Sequence, residues 1–157
     1  MEVRMQGLTL EKNFFRLVDI FGYSSQGLPG LEIVGLGAQG KNMKEKFIFI
    51  AKEKKMKIPL KRYVLCVDQE ITHHAWLEIP LLLSFWFLSG HLQLKTMHNC
   101  LAFGQVSVKG EFIEPVLSLE ERQKIFSLSS TNTVYLSQHK SEFFHQLDLN
   151  DFVQELA

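Results

Sequence analysis

Apolar residues at the start of the chain fall in strand-length runs separated by turn residues. Val3–Leu10 predicts a short strand, and Phe14–Tyr23 a stronger one rich in Phe, Val and Ile. Ser24-Ser25-Gln26-Gly27 turns the chain into a third run, Leu31–Leu36. The spacing then changes to that of a helix. Over Lys41–Lys57, Met43, Phe47, Ile50, Ala51 and the stem of Lys54 share one face, while Lys44, Glu45, Lys52 and Lys55 point away. Pro59 is expected to end this helix, and Lys61–Asp68 to follow as a strand.

Gln69–His74 is polar and predicts a loop. Trp76–Leu88 is apolar nearly all round, so it is expected to be a helix buried on most sides, with Pro80 tolerated in the first turn and Ser89-Gly90 as the stop. Cys100–Val108, a turn at Lys109-Gly110 and Glu111–Ile113 predict a hairpin. Ser118 with Glu121 three residues on is a capping box, which predicts a helix start. A short strand at Thr133–Leu136 and two short helices, near Ser141–Leu147 and from Asn150, complete the expectation. The elements add up to an α/β (strictly α+β) fold: a mixed sheet with Lys41–Lys57 and Trp76–Leu88 packed on it.

The 157 residues are expected to form one domain, 1–157, with a sizeable core. Hydrophobic residues make up 46% and charged residues 22%, a globular rather than a disordered balance. Lys+Arg and Asp+Glu both number 17, which removes any global attraction to a polyanion. The charge is unevenly placed, however. Residues 41–62 hold eight Lys and one Arg against Glu45 and Glu53, a local excess of seven, whereas 111–157 hold eight acids against Arg122, Lys124 and Lys140. That asymmetry points to a polyanion or an acidic partner. Candidate phosphate contacts are Lys44, Lys52, Lys55, Lys61 and Arg62.

Cys66 and Cys100 are far apart and Cys66 sits in an apolar run, so buried free thiols in a reducing cytoplasm are expected rather than a disulfide. MEVRMQGLTL has no signal-peptide pattern, and the most apolar segment, Ile79–Leu88, is about half a membrane span. No membrane association is expected.

Two nucleotide signatures overlap at Gly35–Lys41. Gly35, Gly37 and Gly40 satisfy G-x-G-x-x-G, and Gly35 with Gly40-Lys41 satisfies G-x-x-x-x-G-K. Asn42 stands where a P-loop needs Ser or Thr, Asp68 lies far from the glycines for a ribose contact, and no βαβαβ rhythm follows. The corner is therefore read as a turn, with no cofactor. His73-His74 is the only local histidine pair, and neighbours in sequence point apart, so no metal is expected. No G-x-S-x-G elbow is present.

Gly27-Leu28-Pro29-Gly30-Leu31-Glu32-Ile33-Val34-Gly35-Leu36 resembles the GLPxFxIVGL segment of the ComM/YifB family of magnesium-chelatase-like AAA+ proteins. Pro59–Leu65 is similar to the family's P-x-K-R-I-T-V strand, Glu78-Ile79-Pro80-Leu81 to its Asp-Leu-Pro-Ile, and Gly90-His91-Leu92 to the close of that helix. Gly104–Gly110 resembles G-E-L-x-L-x-G, and Leu147–Leu156 looks like the closing helix. The resemblance implies the family's N-terminal Lon-protease-like fold, also seen in the second domain of ribosomal protein S-five, and a link to competence. It also implies a strand-to-helix role for the glycine corner, without nucleotide.

Two departures shape the functional expectation. The AAA+ module of the family would begin where this chain ends, at Ala157, so no motor is expected. The Ser–Lys dyad of the Lon relatives aligns near Ala75 and Glu120, and neither side chain can serve in it. The family's K-E-G-S loop is replaced by Thr72-His73-His74-Ala75. The expectation is a non-catalytic interaction or assembly domain that docks on a protein partner, such as a separate AAA+ subunit, or on itself. The alternative is a nucleic-acid-binding accessory using the basic stretch 41–62, and a hydrolase with an unrecognised site is the least favoured reading.

Overall fold

A computed structural model describes residues 1–68 and 74–138, together with the backbone of 145–148. Its elements in chain order are β1 Glu2–Glu11, β2 Phe14–Ser25, β3 Gly30–Val34, α1 Ala38–Glu53, β4 Arg62–Val67, α2 Glu78–Leu88, β5 Cys100–Leu101, β6 Gln105–Val106, β7 Phe112–Ile113, α3 Leu119–Leu128, β8 Val134–Ser137 and β9 His145–Asp148. A 3-10 turn, Ala75–Leu77, leads into α2. The architecture is mixed α/β. Among the described residues seven strands form one sheet in the order β3-β4-β2-β1-β5-β8-β9, and β6 and β7 form a separate antiparallel pair.

The centre of the sheet is the β1–β2 hairpin, paired antiparallel from Glu2↔Tyr23 to Glu11↔Phe14. On one side β4 pairs antiparallel with β2 and parallel with β3; on the other β5, β8 and β9 continue parallel from β1. Side chains alternate across the sheet. Val3, Met5, Val18, Ile20, Leu31, Tyr63, Leu65 and Val67 face α1 and α2 and form the main core with Met43, Phe47, Ile50 and the whole of α2. Leu8 and Leu101 belong to a second cluster with Phe103, Tyr135 and Ile125 of α3, against which Phe15 and Leu17 pack. The order is thus α1 and α2, then the sheet, then α3 over part of the opposite face.

Every residue of α2 is buried, more completely than the helix buried on most sides that the sequence predicts from Trp76, and Trp76 itself lies half-buried in the preceding 3-10 turn. Leu77, Ile79, Leu81, Leu82 and Trp86 show no exposed surface. Trp86 meets Phe112 of the small hairpin edge-on at 6.0 Å, and Phe85 meets Tyr63 of β4 edge-on at 5.3 Å. The aromatics thus close α2 from both sides.

Helix α1 begins three residues before the predicted Lys41 and ends at Glu53 rather than Lys57. Its end is a Schellman-type closure. Lys55 takes φ 53, the Met56 N–H donates to the Ala51 carbonyl at 2.9 Å, and the Lys55 N–H donates to Lys52 at 3.1 Å. Met56 and Ile58 prolonged the apolar pattern because they still pack on the core, but from the loop beyond the helix.

The expected strand Cys100–Val108 divides. Gly104, with φ 136, breaks it into β5 in the main sheet and β6 in the hairpin with β7. The Gly104 N–H donates to Trp76 and its carbonyl accepts from Ile79, so this residue also ties the start of α2 in place. The Ser118 capping box forms in full at the start of α3. The helix predicted near Ser141–Leu147 is corrected, because 145–148 form an edge strand parallel to β8. A short segment beside an open sheet edge satisfies its backbone there more readily than in an isolated turn of helix. The predicted helix from Asn150 and most of the loop Gln69–His74 lie outside the described residues.

Leu82→Ala is expected to lower unfolding stability by about 2–5 kcal/mol, because its side chain is surrounded on all sides. Leu82→Asp is expected to abolish folding altogether. A soluble Asp variant with a cooperative melt would show that α2 is not the core helix.

Candidate functional site

The glycine corner is shaped by close backbone packing. Gly35 takes φ 103, and a Cβ there would collide with the Val67 carbonyl. A Cβ at Gly40 would come within 2.9 Å of the Ile33 carbonyl oxygen. Gly37, at φ 57, is the N-cap of α1. The Gln39 and Gly40 N–H groups, which a phosphate-binding loop would present to its ligand, donate to Leu36 and Gly37 at 3.2 and 3.1 Å. Gly35 and Gly40 are explained by close approach to β4 and β3, and Gly37 by its positive φ.

Beside this corner lies a feature that the sequence did not disclose. Lys46 of α1 donates to the Glu78 carboxylate at 2.6 Å and to the Val106 carbonyl at 3.0 Å, while the Val106 N–H donates to the other Glu78 oxygen at 3.3 Å. One ion pair thus joins α1, the first turn of α2 and the small hairpin. Glu78 sits where the helix dipole favours an anion. Its carboxylate side chain is 9% exposed, so the lysine compensates a nearly buried charge. The residues are 32 positions apart, and no periodicity links them.

Ala75 and His74 line a cleft of about 220 Å³ next to this pair. Glu120 is in the first turn of α3, largely exposed and within 3.8 Å of Lys124. Among the described residues no group of His, Cys, Asp and Glu could hold a metal ion. His73 and His139, and the side chain of His145, lie outside the described residues.

The five candidate phosphate contacts do not form one patch. Arg62 lies on the sheet face away from α1, 3.4 Å from Glu32, whereas Tyr63 beside it points inward. Lys44 is half-buried midway along α1. Lys55 is exposed at the helix end. Lys52 and Lys61 are brought together on the rim of a groove of about 310 Å³, floored by Leu31, Ile48, Ala51, Tyr63 and Phe85 and walled by Pro29, Met56, Ile58 and Leu60. Leu60 is 82% exposed at its mouth. The groove runs beside β3, whose outer edge makes no strand pairing among the described residues.

Both cysteines are free. Cys100 is buried and its thiol is pushed up to about 11 by desolvation. Cys66 is only half-buried, contrary to expectation, because it lies on the sheet face that α1 leaves open; burial and then the nearby Asp68 carboxylate raise its thiol. Among the described residues no helix is long and apolar enough to cross a membrane.

Comparison with protein-family models and with curated proteins finds no match for this chain.

Lys46→Ala is expected to destabilise the fold by about 3 kcal/mol, since it strands the Glu78 carboxylate, and Lys46→Met/Glu78→Leu is expected to recover much of that loss in denaturant melts. A fully additive loss in the double variant would remove the pair from this role. The raised Cys100 thiol also has a stability consequence. The folded chain holds this proton more tightly than the unfolded chain, so the contribution is complete below about pH 9 and is lost as pH rises through about 11. The melting temperature should fall across that window, and less steeply at its lower end in Cys100→Ala.

Proposed function

We propose that this chain is a non-catalytic interaction or assembly module of the cytoplasm, related to the Lon-protease-like N-terminal domain of the ComM/YifB family. It docks through the groove between the end of α1 and β3, on a protein partner such as a separate AAA+ subunit or on another copy of itself. The observation that carries this reading is the groove itself. An apolar floor, a rim of two lysines and a strand edge that pairs with no other strand among the described residues occur together at one corner of the molecule. Such a corner offers burial, charge and backbone hydrogen bonds to one incoming segment. The replacement of both dyad positions, by Ala75 and Glu120, supports a role without catalysis.

A second reading is a nucleic-acid-binding accessory. It is favoured by the exposed Lys52 and Lys55 at the end of α1, near Lys61. The dispersal of Lys44 and Arg62 leaves it a smaller contact than the local charge count implies.

Immobilised wild-type protein and Leu60→Glu should separate these readings. Leu60 is so exposed that its substitution is expected to leave the melt unchanged. Docking predicts that a protein retained by the wild type is lost with Leu60→Glu, with no DNA binding by fluorescence anisotropy at low salt. Salt-dependent DNA binding that disappears in Lys52→Glu/Lys55→Glu would favour the second reading. Identical retention by both baits and no DNA binding would refute both.

A further inference from the structure

The groove specifies the chemistry of its occupant, and this inference rests on the docking reading above. Its interior is lined by apolar side chains, its rim carries Lys52 and Lys61, and Lys55 and Lys57 are exposed nearby in the chain. Among the described residues none of those lining it is acidic. An occupant must therefore supply apolar anchors flanked by carboxylates.

The C-terminal sequence of the chain has that pattern. In LNDFVQELA, residues 149–157, Leu149, Phe152, Val153 and Leu156 recur at i, i+3, i+4 and i+7, the stripe of an amphipathic helix. On a helix Glu155 lies beside that stripe, next to Phe152, while Asp151 falls on the far side, and the segment contains no Lys or Arg. These residues lie outside the described ones, and their sequence and reach carry the inference.

Reach decides between the same chain and another copy. The strand preceding the segment is β9, at the far edge of the sheet from β3. Six strand spacings separate the two edges, roughly 29 Å at about 4.8 Å each. Nine residues wound as a helix span about 14 Å, so the segment cannot seat in its own groove as a helix. A second copy has no such constraint.

We infer that residues 149–157 of one copy dock in the basic-rimmed groove of a second copy, with Phe152 and its apolar neighbours inside and Glu155 facing Lys52 and Lys61. The contact is heterologous, groove to tail, and joins opposite ends of the sheet. It uses burial for affinity and charge for orientation.

The test is charge exchange in the full chain, followed by sedimentation velocity across a concentration series at low and physiological salt. The wild type is expected to gain mass with concentration, less so at higher salt. Lys52→Glu/Lys61→Glu and Glu155→Lys are each expected to weaken association about tenfold, with unchanged melts. The combination of all three substitutions restores opposite charges and is expected to regain most of the association. A wild type that stays monomeric, or association indifferent to either reversal, overturns the inference. If self-association fails while Leu60-dependent retention of another protein persists, the tail is the wrong occupant and the docking reading stands. If both fail, both fall.

Discussion

The fold depends on giving the helix Glu78–Leu88 no face toward water. Eleven residues with an apolar surface in every direction cannot rest on a single layer. The sheet covers one side through Val3, Met5, Val18 and Ile20, and the other elements complete the enclosure: α1 through Phe47 and Ile50, and the small hairpin through Phe112. The hydrophobic term scales with area removed from water, so each covering element is held mainly by what it buries of this helix. The broken strand at Gly104 follows from the same demand. The chain leaves the main sheet there in order to bring β6 and β7 over the helix.

Enclosure creates an electrostatic problem at the entrance to α2. Glu78 opens the helix and is buried with it, and an unpaired carboxylate in that position would be costly. Lys46 resolves it from α1, and Val106 adds backbone partners from the hairpin. A charge-assisted contact of this kind fixes the relative placement of three elements that burial alone would hold less specifically. It also accounts for one of the lysines of the basic stretch, whose apparent surplus is partly structural.

The remaining surplus is spread unevenly. Strand alternation sends Arg62 to the face away from α1, while the Schellman-type end of α1 releases the chain into the Met56–Lys61 loop. That loop packs inward with Met56 and Ile58 and leaves Leu60 outside, and the groove is the space between it, α1 and β3. The groove at this corner therefore follows from how one helix is terminated. The same corner borders β3, whose outer edge pairs with no strand among the described residues.

Much of the fold was legible in the chain because it rests on short-range pattern. The hairpin strands, α1, the buried helix and the Ser118 cap are written in spacings of two to four residues, and the inward face Met43, Phe47, Ile50 and Ala51 was placed correctly by periodicity alone. The glycine corner was legible as a turn despite its phosphate-loop letters, whereas the close approach to Val67 and Ile33 that requires Gly35 and Gly40 was not. Sequence by itself determined where the first strands and the two large helices would form and which of their faces would be apolar, since those follow from local backbone periods and side-chain chemistry. Only the tertiary structure decided that Lys46 meets Glu78, that Lys52 and Lys61 share a rim while Arg62 leaves it, and that 145–148 joins the sheet edge. Those outcomes depend on strand order and on which face of a neighbour each residue meets, and contacts between distant segments have no period to read.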